Sequence, residues 1–192
     1  MNHISIPFDN VDDRFLIREC MAGNRNAQKA LYDTYSAKMM GVCLRYSTDR
    51  SRAQDILQDA FIKIFNNLHK FRNEGSFEGW IRRIMVNTAI EHVRKEKHMR
   101  KHVEIEQAYD IALDNSIFEK LAANDLLLLL QQLPPGYRAV FNLYVIEGYS
   151  HKEIAYILNI KEGTSKSQLA KARYTLQRII KEIESNEKVF EQ

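Results

Sequence analysis

The sequence predicts an all-α protein of two helical domains joined by a linker, the C-terminal one a helix-turn-helix. Apolar residues recur at three- and four-residue spacing along nearly the whole chain, and only 7 Gly and 3 Pro among 192 residues interrupt them. A Ser followed three residues later by Gln or Glu, ahead of an apolar run, occurs at Ser51–Gln54 and Ser150–Glu153 and marks helix starts. Charge is segregated: residues 1–102 carry 18 basic against 12 acidic side chains, residues 103–132 carry 1 against 6, and residues 133–192 carry 9 against 7. Two basic modules separated by an acidic stretch imply two contacts with nucleic acid and a linker that avoids it. The domains are expected at 10–97 and 125–184, with the linker at 98–124.

Residues 12–46 read as two helices broken near Gly23-Asn24-Arg25-Asn26. In the second, Ala27, Ala30, Leu31, Tyr35, Met39, Val42, Cys43 and Tyr46 form a buried stripe. Ser51 opens a third helix, running to about His69, with apolar residues at 56, 57, 60, 61, 64, 65 and 68. Asp55, Gln58, Asp59 and Ile62 are left on its outside, a face suited to docking another protein. A loop with three aromatics and two glycines follows, Phe71 to Trp80, then a helix from about Phe77 to Lys97. Trp80, Ile81, Ile84, Met85, Thr88, Ala89 and Val93 face inward, leaving Arg82, Arg83, Asn87, Arg94, Lys95 and Lys97 outside. Aromatic faces beside cations suit unpaired bases, which stack, and phosphates, which need countercharge.

Composition excludes several classes. Hydrophobic residues at 45% and charged residues at 28% describe a globular chain, not a disordered one. The longest apolar run, Leu126 to Leu130, is far short of the ~20 residues that span a bilayer. The N-terminus lacks the basic start and apolar core of a signal peptide, so the protein is expected in the cytoplasm without membrane insertion of its own. Cys20 and Cys43 have no paired spacing and are expected as buried free thiols. His92, His98 and His102 lack completing ligands, so neither metal nor cofactor is expected.

Near the C-terminus, Ser150 and Glu153 form a capping box, and Ile154, Ala155 and Leu158 give the following helix one buried face. Asn159 to Gly163 reads as a turn, with Thr164 capping the second helix. In that helix Leu169, Ala172, Leu176, Ile179 and Ile183 form the inward stripe, while Ser167, Lys171, Tyr174, Arg178 and Lys181 face away. Lys166, Ser167 and Lys171 are expected at or near base edges, with Arg173 and Arg178 on phosphates. An amphipathic helix with a solvated basic face would give the same pattern. The net charge of +3 is modest for a protein that grips DNA alone, which implies help from another component.

Three blocks in order resemble the extracytoplasmic-function sigma factors, the smallest class of bacterial RNA polymerase initiation factors. Asp55-Ile-Leu-Gln58-Asp59-Ala-Phe61 resembles the family's polymerase-binding helix. Phe71 to Phe77, followed by Trp80 to Ala89, resembles its promoter-melting and −10 recognition segment. Leu133-Pro134-Pro135 through Ser150, then Glu153-Ile-Ala155 and Gly163 to Ser167, resembles its −35 domain. The likeness covers about residues 12–183. It implies polymerase binding by Asp55, Gln58, Asp59, Phe61 and Ile62. It implies −10 contacts by Phe71, Arg72, Ser76, Phe77, Arg82, Arg83, Asn87 and Arg94, and −35 contacts by Thr164, Lys166, Ser167, Lys171, Arg173, Tyr174 and Arg178. Core RNA polymerase, promoter DNA and an anti-sigma factor are the implied partners. The chain would not itself be an enzyme, and its acidic linker would thread through polymerase near the RNA path. Ser165 stands where the family usually has an apolar residue, Gln168 where it has Arg, and Glu91 where it has Asp; the first two bear on promoter sequence, not on the mode of binding.

Two other readings fit parts of the pattern. A stand-alone helix-turn-helix regulator with an N-terminal sensor or dimerisation bundle would retard promoter DNA without polymerase. A metal-dependent nuclease built on Asp55 and Asp59 at i, i+4 would need further ligands that the sequence does not offer.

Overall fold

A computed structural model describes residues 12–99 and 123–190, and every regular element among them is helical. The described residues form two compact units, one of 12–43 with 51–88 and one of 44–50 with 89–99 and 123–190. Most of the expected linker, residues 100–122, lies outside the described residues.

Helix α1 (Asp13–Met21) begins where Asp12 accepts the Arg14 N–H at 3.2 Å, and it buries Leu16, Ile17 and Cys20. Gly23, at φ 81°, makes the corner, a conformation that costs a residue with a Cβ more than it costs Gly. Asn24 then caps α2 (Arg25–Tyr46), its Oδ1 accepting the N–H groups of Asn26 and Ala27 at 3.0 and 3.3 Å. Helix α2 buries Ala27, Leu31, Tyr35, Met39, Val42, Cys43 and Tyr46, and Ala30 is half-buried.

Helix α3 (Arg50–Asn67) starts one residue ahead of the expected cap, which puts Ser51 inside the first turn. Its inner face is Ala53, Ile56, Leu57, Ala60, Phe61 and Ile64. A short 3-10 turn (Leu68–Lys70) leads to the loop before α4 (Phe77–Met99).

Further along, α5 (Ala123–Gln131) and α6 (Pro135–Phe141) are joined through a buried arginine. Arg138, 1% exposed, donates from Nε to the Leu130 carbonyl at 2.9 Å and from Nη2 to those of Gln131 and Leu133 at 3.0 and 2.7 Å. Carbonyls at the end of a helix have no partner within it, so the guanidinium supplies what the backbone cannot. A π-helical turn (Asn142–Ile146) follows, then α7 (His151–Leu158) and α8 (Glu162–Phe190). The core of these helices includes Leu130, Leu133, Val140, Phe141, Leu143, Ile154, Leu169, Ala172 and Leu176. The inward stripe of α8 ends at Ile180, which is buried, whereas Ile183 is 46% exposed.

Candidate functional site

On α3 the residues Asp55, Gln58, Asp59 and Ile62 are all exposed, and their spacing places them on one face. Ile62, 59% exposed beside the carboxylates, gives this face an apolar centre. Phe61 does not belong to it. Its ring is 3% exposed and lies 4.7 Å from Tyr32 and 6.1 Å from Phe65, because helical period turns position 61 inward with 57 and 64. Among the described residues no group of three or more His, Cys, Asp or Glu could hold a metal ion.

Ser76 closes the loop before α4 by accepting the Gly79 N–H at 3.1 Å, which makes it the helix cap as well as a candidate DNA contact. Phe71, Phe77 and Trp80 form one aromatic cluster with centroids 5.1 to 5.7 Å apart. Phe77 is its buried centre at 3% exposure, with Tyr35 edge-on at 5.7 Å. Phe77, an expected −10 contact, is thus buried among the rings of Phe71, Trp80 and Tyr35. Phe71 and Trp80 are half-buried, and Arg72 is exposed. Along α4, Arg83, Asn87 and Arg94 are exposed at positions that share one face, with Arg82 half-buried.

The capping box of α7 forms as expected. Ser150 donates its N–H to Glu153 Oε2 at 2.8 Å, and the Glu153 N–H donates to Ser150 Oγ at 3.3 Å. The Ser150 hydroxyl, which donates to Glu153 Oε2 at 2.7 Å, and then the Ser150 N–H hold the Glu153 carboxyl below its ordinary pKa. Asn159 ends α7 in the left-handed region at φ 52°, and the Ile160 N–H returns to the Ala155 carbonyl at 3.0 Å. The chain is thereby free to start α8 at Glu162, with the Ser165 N–H donating to the Lys161 carbonyl at 3.1 Å. Thr164 is therefore half-buried inside the first turn and does not cap the helix.

Outside, α8 presents Lys166, Tyr174 and Arg178 exposed and Ser167 and Lys171 half-buried. Lys166 pairs with Glu162 at 2.7 Å and Arg178 with Glu182 at 3.3 Å. Ser167 donates to the Thr164 carbonyl at 3.0 Å. Half-buried Arg173 turns its guanidinium over Tyr144, 5.9 Å from the ring centre. Tyr144 also stacks on His151 at 4.5 Å and 20°, and His151 Nδ1 lies 2.9 Å from Ser165 Oγ. Burial, then the charge of Lys166, hold the His151 pKa below its ordinary value, with Glu162 opposing and Arg173 adding to the fall. Ser165 and Gln168 are 0% and 6% exposed, so neither side chain faces bases. The His151 column joins residues far apart in sequence across the turn, and no local pattern signals it.

Residues 31–99 match the description of sigma-70 region 2, and residues 123–176 that of sigma-70 region 4. The chain is 28% identical over 180 residues to the RNA polymerase sigma-H factor of Pseudomonas aeruginosa, spanning 88% of this chain and 93% of that protein. It is 27% identical over 180 residues to the ECF RNA polymerase sigma factor SigW of Bacillus subtilis, spanning 87% and 96%. The chain belongs to the extracytoplasmic-function sigma factors of the sigma-70 family. It is an alternative sigma factor, directing RNA polymerase to promoters. A match in region 2 as well as region 4 exceeds what a stand-alone helix-turn-helix regulator would need. A solved structure of CnrH in complex with the cytosolic domain of CnrY aligns with this sigma factor over 88% of this chain and 97% of that one, at 21% identity and a TM-score of 0.45. Among the described residues no helix is long and apolar enough to cross a membrane.

Proposed function

We propose that this sigma factor divides initiation among three faces: α3 docks on core polymerase, the loop before α4 with the outer face of α4 holds the melted −10 element, and α8 reads the duplex −35 element. In this reading residues 10–97 and 125–184 are the working domains, and the acidic stretch 98–124 is the linker between them. What supports the reading is that residues at helical spacing line one face in each case: exposed Asp55, Gln58, Asp59 and Ile62, and exposed Arg83, Asn87 and Arg94, in the first matched region; half-buried Ser167 and Lys171 with exposed Tyr174 in the second, and exposed Arg178 just beyond it.

The chemistry of each face fits its task. Separating stacked bases costs a few kcal/mol per step, and holding a displaced base offsets part of that. Asn87 offers both donor and acceptor to the edge of such a base, and Arg72, Arg83 and Arg94 offer charge to the strand's phosphates. Polymerase supplies the catalytic centre, so the sigma factor acts in the cytoplasm as a directing subunit with no cofactor of its own. An anti-sigma factor is its proposed regulator, as family membership implies.

Promoter-dependent transcription with core polymerase tests the reading. The full chain should start transcripts at defined sites, and Asp55→Lys with Asp59→Lys should abolish both co-elution with core and transcription. Retention of both activities in the double variant would remove the docking assignment, and absence of promoter-specific transcripts with the unaltered chain would remove the function.

A further inference from the structure

Helix α1 touches the loop before α4 by two routes. Through the first, Asp13 Oδ1 accepts the Tyr35 hydroxyl at 2.8 Å, and the Tyr35 ring meets Phe77, the first residue of α4, edge-on at 5.7 Å, with Phe71 of the loop 5.1 Å from Phe77. Burial and the Asp13 bond raise the Tyr35 pKa well above its ordinary value, so this hydroxyl keeps its proton and its role as donor. The second route reaches the loop itself. The Asn73 amide, oriented with its oxygen toward α1, accepts from Arg14 Nη2 at 2.9 Å and from Arg14 Nε at 2.7 Å.

Asn73 sits at the loop's corner with φ 60°, in the left-handed region, and Gly75 follows at φ 101°. Outside glycine, such a corner is favoured for Asn because its short amide can bond locally. Here that amide is instead tied to a planar guanidinium carried by a different helix. Arg14 itself is held at the start of α1, where its N–H donates to the Asp12 cap. Both Arg14 and Asn73 are exposed, and exposed polar pairs add little to global stability. What two donors converging on one oxygen do fix is direction: where the corner points, and so where Phe71 and Arg72 on one side and Ser76 on the other stand.

We infer that Arg14 is a positioning residue for the base-holding loop: α1 sets, through Asn73, the loop geometry that discriminates among unpaired −10 bases. This inference rests on the proposal that the loop meets the melted element. Arg14 touches no base in this scheme and acts only through Asn73.

The test uses the full chain with core polymerase on templates pre-melted at −10, each carrying one of the four bases at each unpaired position. Arg14→Ala should reduce the ratio of preferred to disfavoured base by about fivefold, the factor expected for one hydrogen bond of ordinary net strength. Association with core and binding of −35 duplex should stay unchanged. Asn73→Gly keeps the left-handed corner without the amide, so it should cause the same loss, and adding Arg14→Ala to it should change nothing more. Asn73→Asp retains an acceptor oxygen and should preserve discrimination. A full further loss from Arg14→Ala in the Asn73→Gly background would overturn the inference, since Arg14 would then be contacting DNA directly. A uniform loss on every template would overturn it too, as would a flat result for Arg14→Ala while Asn73→Gly shifts base preference. If Asn73→Gly and Asn87→Ala both leave preference flat at all positions, the −10 assignment itself falls and takes the inference with it.

Discussion

His151 bonds one helix of the reading motif to the other, and its environment makes that junction sensitive to protons. Its Nδ1 meets Ser165 Oγ at 2.9 Å while Tyr144 covers one ring face. Burial and the nearby Lys166 and Arg173 charges outweigh Glu162 and lower its pKa from 6.5. A histidine with a depressed folded pKa binds protons more readily when unfolded, so stability is intact above 6.5 and declines as pH falls through that value toward the folded pKa. Thermal unfolding of the full chain should therefore show a loss of Tm between about pH 7 and pH 5 that is smaller in His151→Asn. An equal loss in both proteins would mean that other groups carry the acid sensitivity. A second contrast lies in the aromatic cluster. Phe77→Ala should destabilise by about 3 to 5 kcal/mol, the range for emptying a core aromatic site. Half-buried Phe71 should cost less when truncated, and its loss should weaken open-complex formation at temperatures where the fold persists. Comparable Tm losses for the two would contradict their different burial. The run of aromatics and glycines from Phe71 to Trp80 marked Phe77 in the sequence, but its burial depends on Tyr35, a ring from a distant helix that no local pattern discloses.

Helix limits follow from bonds between residues, and that decides which of them the sequence disclosed. The Ser150–Glu153 box was readable because both partners lie within one turn. Ser51 and Thr164 have the right chemistry for caps, yet α3 and α8 begin earlier, at Arg50 and Glu162. At α8 the reason is Asn159, whose left-handed conformation closes α7 quickly and leaves a turn of only Asn159, Ile160 and Lys161. Arg138 was hidden for another reason: an arginine reads as an outer residue until the carbonyls of Leu130, Gln131 and Leu133 are seen to converge on it. Arg138→Met preserves much of the length and removes those donors, leaving buried carbonyls unsatisfied. A destabilisation of about 1 to 3 kcal/mol for each buried carbonyl left without a donor is expected. Hydrogen exchange should show protection lost in α5 and α6, with −35 binding impaired and α1 to α3 still protected. Unchanged protection across residues 123–141 would show that the end of α5 is satisfied without the guanidinium.

Charge segregation along the chain, which the sequence displays directly, bears on how a protein of net charge +3 holds a polyanion. In the proposed reading, much of the affinity for promoters comes through polymerase, and contacts made by α8 serve to choose among sites as well as to bind. On α8 the two roles divide by position. Lys171 lies half-buried on the face nearer the helix start, where a helix-turn-helix meets base edges, and Arg178 lies about two turns later. Arg178 pairs with Glu182 at 3.3 Å, but both side chains are largely exposed, at 59% and 60%, so a phosphate can compete for the guanidinium at small cost. Lys171→Ala should change which −35 bases are tolerated, by about 1 to 3 kcal/mol for a lost base contact. Arg178→Ala should weaken all promoters alike and lower the slope of log affinity against log salt by about one contact. Promoter libraries selected with holoenzyme carrying each variant, with binding measured over a range of salt, separate the two effects. Altered base preference from Arg178→Ala with none from Lys171→Ala would mean that α8 enters the groove in a different orientation from the one its exposed face indicates.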